Sequence, residues 1–133
     1  MSQRKAQKTY QPQIKVLTTR FADMRVGQKM AIGTPELIAQ IIQSIPKGSE
    51  WSLKQLRARL AQHLKADVAC PVTTSIYLRI AIETEVASGR SRFRFPFWRA
   101  VAPKTPLFKK LTPAARETIQ VHRSREGLDG SAT

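Results

Sequence analysis

Three segments with helical periodicity and recognisable start signals occupy the middle of the sequence, and they constrain the fold more than any other feature. Thr34 is a suitable capping residue for a helix whose first residue is Pro35. Ser52 begins a capping box for a second helix, and Pro71 marks the first turn of a third helix that Gly89 ends. A chain of 133 residues is long enough for one compact domain and too short for two ordinary ones, so we expect these helices to share one core.

Apolar residues recur three and four positions apart in each segment, which is the spacing of one helix face. We therefore expect the core to be built from Leu37, Ile38, Ile41, Ile42 and Ile45 in the first helix, from Leu53, Leu56, Leu60 and Leu64 in the second, and from Val72, Ile76, Ile80 and Val86 in the third. A short last helix opens at Thr112 and Pro113.

Residues 90–97 follow the third helix and alternate between polar and aromatic side chains. Arg92 and Arg94 fall on one side, and the phenylalanines fall on the other, which is the period of a β-strand. An aromatic face against three helices with an arginine face outward is what the wing of a winged helix supplies. The alternative is an ordinary edge strand that its charges protect from aggregation.

These patterns predict a mainly α-helical, winged helix-turn-helix fold with a small β-hairpin wing in a single domain with basic tails. Residues 1–20 are expected to form a basic flexible arm because they are rich in Lys, Arg and Gln. We expect residues 21–127 to form the winged-helix domain and residues 128–133 to form a disordered tail.

Positive charge lies mainly outside the helical middle. The chain has 23 Lys and Arg against 9 Asp and Glu, for a net charge of +14. Residues 1–33 carry a net charge of +6, residues 34–89 of +1 and residues 90–133 of +7. Such a charge implies a polyanionic partner, and its distribution places phosphate contacts on the segments that flank the core.

The candidate DNA-binding residues belong to the third helix and to the segment that follows it. The first turns of a recognition helix meet base edges, and arginines of a wing reach the DNA backbone or the minor groove. On this basis we select Thr73, Thr74, Ser75, Tyr77, Arg79, Arg90, Arg92, Arg94, Trp98 and Arg99. The alternative is that the Thr and Ser residues begin a buried helix and that Trp98 packs in the core.

The order of these motifs resembles the DNA-binding domain of the methylguanine-DNA methyltransferase and alkyltransferase-like superfamily, and it is most similar to a bacterial branch without the acceptor cysteine. The resemblance covers residues 24–127. It is carried by Thr34-Pro35-Glu36, Ile45-Pro46-Lys47-Gly48, Ser52-Leu53-Lys54-Gln55-Leu56, Lys65-Ala66-Asp67-Val68, Cys70-Pro71-Val72-Thr73-Thr74 and Pro96-Phe97-Trp98-Arg99.

The resemblance implies a protein that binds damaged DNA through its recognition helix. In the family, a cysteine followed by a histidine accepts an alkyl group from a flipped base. By position, Phe97 replaces that cysteine and Trp98 replaces that histidine, and neither can act as a thiolate or as its base. Leu53 lies near the position of the nucleotide-rotating tyrosine, and Thr74 or Ser75 lies near the position of the arginine that replaces the flipped base. The resemblance therefore implies DNA binding without alkyl transfer.

Two functions of different classes remain open. The first is a non-enzymatic DNA-binding protein of alkyltransferase-like type that senses altered DNA for repair, with duplex DNA as its main partner and a repair protein as a second one. The alternative is a protein or ribonucleoprotein adaptor that binds nucleic acid without specificity. Alkyl transfer by Cys70 ranks third, because this residue is not at the acceptor position and neither histidine lies near it in sequence.

We expect no cofactor, no metal and no membrane partner. One cysteine excludes an internal disulfide and a multi-cysteine zinc site. The sequence has no apolar run long enough to span a bilayer and no apolar signal-peptide core at its amino terminus. The expected location is the cytoplasm, in association with the nucleoid if the chain binds DNA.

Overall fold

The computed structural model describes residues 10–128. Helices account for most of its regular structure, and three short strands form one sheet. The elements in chain order are β1 Gln13–Val16, β2 Lys29–Ile32, α1 Pro35–Ile42, α2 Leu53–His63, β3 Val68–Ala69, α3 Pro71–Ala87, a 3-10 turn Phe97–Arg99, α4 Pro106–Lys109 and α5 Pro113–Glu126. The first nine residues of the predicted arm and residues 129–133 of the predicted tail lie outside the described residues.

The predicted helix starts are confirmed. The hydroxyl oxygen of Thr34 accepts a hydrogen bond from the N–H of Leu37 at 3.0 Å. Ser52 and Gln55 form both halves of a capping box. Pro71 is the first residue of α3, and the hydroxyl of Thr112 caps α5. These starts depend on interactions between residues at most three positions apart, so the sequence alone specifies them.

The core lies where α1, α2 and α3 pack against each other and against the 3-10 turn and α5. Its largest fully buried apolar side chains are Ile38, Ile42, Ile45, Leu56, Leu60, Leu78, Ile82, Phe97 and Ile119. Burial of each such side chain contributes about 1.5–3 kcal/mol to folding. Gly33 allows β2 and α2 to approach closely, since a Cβ atom there would lie 2.9 Å from a methyl group of Leu60.

The predicted core face of α3 is wrong at Val72 and Ile76, although Val86 packs against the core as expected. Val72 and Ile76 are 50% and 48% exposed, whereas Thr74 and Glu85 are buried with Leu78 on the opposite side of the helix. Polar side chains can be buried when their hydrogen bonds are satisfied. The hydroxyl of Thr74 donates to the carbonyl oxygen of Cys70 at 2.6 Å, and the Glu85 carboxylate accepts two hydrogen bonds from one arginine.

The sheet has the order β1-β2-β3 and joins the amino-terminal segment to the helices. β1 and β2 are antiparallel, with Gln13 opposite Ile32, and β2 and β3 are parallel. One sheet face contributes Ala31 and Ala69 to the main core, and the other packs in a second cluster with Met24. The prediction of a flexible arm over residues 1–20 did not anticipate β1.

The predicted strand over residues 90–97 is wrong, and the hairpin of this domain lies at β1 and β2 instead. Residues 90–96 form bends without strand pairing, although the phenylalanines still face inward. The N–H of Arg94 donates to the buried Glu85 carboxylate at 2.6 Å, and Pro96 has no N–H to donate. Phe97 then begins the 3-10 turn inside the core.

The connection between α2 and α3 is longer than the turn of a simple helix-turn-helix. Residues 64–70 join the two helices and include β3, whereas the usual turn has three or four residues. The observed architecture is therefore mainly helical with a small sheet that contains one hairpin. Within residues 10–128, no helix combines the length and the apolar character needed to cross a membrane.

Candidate nucleic-acid interface

Most acidic side chains are engaged inside the domain. Residues 10–128 contain eight Asp and Glu residues, and six of them bond to basic side chains or to capping and backbone groups. These are Asp23, Glu50, Asp67, Glu83, Glu85 and Glu126. The other two, Glu36 and Glu117, are exposed. Four of the eight carboxylates, those of Asp23, Glu50, Glu85 and Glu126, are thus neutralised by an arginine, and the other four are outnumbered by the basic side chains of residues 10–128.

Basic side chains divide into two classes. Each recorded ion pair within the described part of the chain uses an arginine. None of the lysines in residues 10–128 has a carboxylate partner there, and every one is exposed: Lys15, Lys29, Lys47, Lys54, Lys65, Lys104, Lys109 and Lys110. Five arginines are held in ion pairs, while the lysines, together with exposed arginines such as Arg79 and Arg92, give the surface its positive charge.

The candidate residues on α3 do not form one surface. Thr74 is fully buried, and its hydroxyl donates to the Cys70 carbonyl, so it holds the first turn of the helix. Thr73, Ser75 and Tyr77 are half-buried, and the Tyr77 ring lies edge-on to Tyr10 with centroids 5.0 Å apart. Arg79 is exposed and has no ion-pair partner among the described residues.

The outward face of α3 consists instead of Val72, Ile76 and Arg79. Positions i, i+4 and i+7 lie in one stripe along a helix, opposite the side that carries Leu78 and Ile82. Sequence reasoning assigned the first two residues to the core because apolar residues at helical spacing are usually buried. The sequence did contain a signal for the buried side of α3, because Thr74, Leu78 and Ala81 also lie three or four residues apart.

Arg90, Arg92 and Arg94 differ in what they contact. The Arg94 Nε donates to a Glu85 carboxylate oxygen at 3.0 Å, and the Arg90 Nε lies 4.0 Å from the other oxygen. The Glu85 side chain is only 1% exposed, so it needs these positive charges. Arg92 is exposed and has no ion-pair partner among the described residues.

Trp98 and Arg99 are held in a bonded network with Glu126. The Trp98 Nε1 donates to one carboxylate oxygen at 2.9 Å, and the Arg99 guanidinium donates to both oxygens at 2.7–3.2 Å. Another Arg99 nitrogen donates to the carbonyl oxygen of Ile45 at 2.8 Å. The Trp98 ring is buried and stacks on His122 with centroids 4.2 Å apart. In this conformation Trp98 has no free ring face for a nucleic-acid base.

The ionisation of these groups follows from their contacts. Burial acts to raise the pKa of Glu126, but the hydrogen bonds from Arg99, Trp98 and the Gly48 N–H outweigh it and lower that pKa to about 2. Burial, together with the positive charge of Arg125, lowers the pKa of His122. The network is therefore a structural ion pair that stays charged at neutral pH.

Cys70 is buried at the start of α3. Its sulfur accepts a long hydrogen bond from the N–H of Thr73 at 3.5 Å, so the thiol acts as the cap of the helix. Within residues 10–128, no three His, Cys, Asp or Glu side chains are grouped to hold a metal ion. The local geometry thus assigns this thiol a structural role.

A second basic surface was missed by the sequence analysis. It is the hairpin loop, residues 17–28, which joins β1 to β2 and exposes Arg20 and Arg25 beside Phe21 and Val26. The sequence analysis divided this loop between the arm and the domain, with residues 21–28 in the domain, and Met24 is indeed buried there. The sequence signal for this surface is a basic residue followed by an apolar one on each side of Met24, namely Arg20-Phe21 and Arg25-Val26.

Comparison with known proteins adds no further constraint. No family model matches the chain, and neither a curated protein nor a solved structure matches it. The geometry of the described residues is therefore the basis for the function proposed below.

Proposed function

We propose that this chain is a non-enzymatic protein that binds duplex DNA, of the alkyltransferase-like type that its motifs resemble. The observation that carries the proposal is the division of charge. Buried or partnered carboxylates are balanced by arginines, and the lysines remain exposed without partners in residues 10–128. A domain with this excess of exposed positive charge attracts phosphate groups, and its affinity should depend strongly on salt.

We place the recognition surface at α3, as part of a winged helix-turn-helix in which the β1–β2 hairpin replaces the expected wing. The exposed stripe Val72, Ile76 and Arg79 supports this assignment, since a DNA-reading helix must present side chains outward. Ser75 flanks the stripe, whereas the hydroxyl oxygen of Thr73 is buried. We leave Thr74, Trp98 and Arg99 out of the contact surface because their polar groups bond within the domain.

We further propose that the protein senses altered DNA for repair. Phe97 and Trp98, which occupy the positions of the family's cysteine and histidine, are both buried and bring no nucleophile. This supports a role without alkyl transfer at that position, and the sensing of damage rests on the resemblance of the motifs. Such a protein would mark a site for other factors in the cytoplasm, where it would associate with the nucleoid.

Fluorescence anisotropy of short labelled oligonucleotides tests the function. We would titrate an unmodified duplex, the same duplex with one methylguanine, and the matching single strand, each at two salt concentrations. Tighter binding of the modified duplex is the expected result for damage sensing. Equal, salt-sensitive binding to all three would reduce the proposal to a general nucleic-acid protein, and the absence of binding at moderate salt would refute it.

One observation favours the adaptor function as a second candidate. Val72 and Ile76 are each about half exposed on one helix face, and an exposed apolar pair of this kind is also typical of a protein contact. An adaptor would retain its protein partner at high salt and after nuclease treatment, whereas a DNA-binding protein would not.

A further inference from the structure

The hairpin loop, residues 17–28, is an ordered element. The N–H of Leu17 donates to the carbonyl oxygen of Gln28 at 3.0 Å, and the N–H of Gly27 donates back to Leu17 at 2.9 Å. Gly27 has a φ of +92°, a left-handed conformation that favours glycine. Met24 and Phe21 exchange backbone hydrogen bonds at 2.8 and 3.3 Å. The loop therefore folds into two successive tight turns.

Two anchors hold the loop against the domain. The Met24 side chain is fully buried in a cluster with Met30 and Cys70. Asp23 forms two hydrogen bonds with the Arg57 guanidinium, at 2.9 and 3.1 Å. Arg57 itself donates from Nε to the carbonyl oxygen of Ala69 at 2.9 Å, so α2 and β3 fix its position. The contacts of Met24 and Asp23 thus fix the orientation of the loop on the domain.

The anchored loop turns its other side chains outward. Phe21 is 38% exposed and Val26 is 62% exposed. Arg20 and Arg25 are exposed, and no described carboxylate pairs with them. Asp23, the acid of this loop, is already bound by Arg57. The folded domain therefore exposes two cations and two apolar side chains, and the cations have no carboxylate partner among the described residues.

We infer that the hairpin loop is a DNA-binding arm, an inference that rests on the duplex-DNA function proposed above. Arg20 and Arg25 contact phosphates of one duplex, while Phe21 and Val26 pack against sugars and base steps in the minor groove. Arms that bind this groove combine basic side chains with apolar residues that contact or separate base steps. Net positive charge in the loop and at the lysines that flank it favours this occupant over a second copy of the same cationic chain.

The charge part of the inference is tested with the full chain and a paired control. The Arg20→Ala/Arg25→Ala variant removes two charges from the loop, and Lys109→Ala/Lys110→Ala removes two charges elsewhere. Lys110 lies two residues before Thr112, which bonds to Glu83. Cys70 belongs to the cluster that anchors the loop, and Glu83 lies thirteen residues from it along α3, or about 20 Å at the rise of a helix. The control lysines are therefore remote from the loop.

Each variant is titrated with one duplex by fluorescence anisotropy at four salt concentrations. The arginine variant should flatten the log-log salt dependence by about two units, since each lost phosphate contact removes roughly 0.9 from the slope. The lysine variant should change the slope by less than half as much. Equal changes in the two variants would overturn the inference, because they would reflect total charge alone.

The apolar part is tested by Phe21→Ala, with Val121→Ala on α5 as a control of similar exposure, 38% against 39%. Phe21→Ala should weaken duplex binding roughly tenfold at unchanged salt slope, and the control should not. Thermal unfolding checks that both variants are folded. An unchanged affinity in folded Phe21→Ala would overturn the inference. If the wild-type chain itself shows no salt-sensitive binding, the proposed function fails instead.

Discussion

Residues 90–99 and the hairpin loop are both rich in arginine, but their arginines are in different states. In residues 90–99, Arg94 and Arg99 bond to the buried carboxylates of Glu85 and Glu126. In the loop, Arg20 and Arg25 have no carboxylate partner among the described residues. The segment with more arginines in the sequence therefore offers fewer free guanidinium groups to a ligand.

The difference shows that a buried acid decides what a neighbouring arginine does. A carboxylate that is removed from water must be paired, so it retains an arginine whether or not a ligand is present. Within the loop, the exposed Asp23 carboxylate pairs with Arg57 of α2 and not with Arg20 or Arg25. Density of positive charge along a sequence is thus a weaker guide to binding than the position of the acids.

Glu126→Ala should give the largest effect in this comparison. The substitution leaves the Arg99 guanidinium and the Trp98 N–H without their main acceptor, and we expect a loss of about 3–5 kcal/mol in the free energy of unfolding. Urea denaturation measures it. Glu117→Ala, on the exposed side of the same helix, is the control and should change stability by less than about 0.5 kcal/mol. Similar losses in the two variants would contradict the assignment of Arg99 to this network.

The same network predicts a pH dependence of stability. The folded-state pKa of Glu126 is about 2 and its ordinary value is 4.5, so the charged form is favoured by folding. A depressed pKa contributes stability that is complete above the unfolded value and is lost as the pH falls toward the folded one. We expect about 3 kcal/mol to disappear between pH 5 and pH 2. Urea unfolding of the wild type and of Glu126→Gln measures it, and parallel pH curves would contradict it.

Arg92 and Arg94 allow an unpaired and an ion-paired arginine to be compared within one segment. Arg94→Ala removes a partner from the buried Glu85 carboxylate and should cost about 1 kcal/mol of stability. Arg92→Ala removes an unpaired side chain and should leave stability within about 0.5 kcal/mol of the wild type. In duplex binding the order should reverse, with Arg92→Ala weakening affinity more. Thermal unfolding measures the stability and anisotropy measures the duplex affinity of the same samples. An equal loss of stability in the two variants would contradict the distinction between a paired Arg94 and an unpaired Arg92.

Ile76→Ala should have the smallest effect on folding. The side chain is about half exposed, so we expect a stability change within about 0.5 kcal/mol. Leu78→Ala, two residues along the same helix and buried, should cost about 3 kcal/mol and serves as the contrast. If α3 faces DNA, Ile76→Ala should lower duplex affinity while the protein stays folded. Unchanged affinity would remove Ile76 from the proposed recognition surface.

The parts of the fold that the sequence predicted are those set by short-range interactions. Thr34, Ser52 and Thr112 cap their helices through bonds to residues three positions away. Such signals are complete within a few residues of sequence, so the helix starts followed directly. The faces of α1 and α2 were also predicted in outline, because Ile38, Ile42 and the buried leucines of α2 leave few alternatives.

The parts that were not predicted depend on partners distant in sequence. The inward face of α3 requires Glu85, which is acceptable in the core only because Arg94 bonds to it nine residues later. β1 pairs with β2 across the loop, and β2 pairs with a strand of two residues, which is too short to give a periodic signal. The bonds of Trp98 and Arg99 were not predicted for the same reason, since their partner Glu126 lies in α5.

The position of Glu126 at the end of α5 has a consequence for the order in which the domain is completed during synthesis. Its three partners, Gly48, Trp98 and Arg99, all precede it by at least 27 residues. A growing chain that lacks this glutamate contains every buried apolar residue of the core but leaves the Arg99 charge uncompensated. We therefore expect the amino-terminal hairpin and the three central helices to collapse first and to become fully stable only after the last turn of α5 has been made.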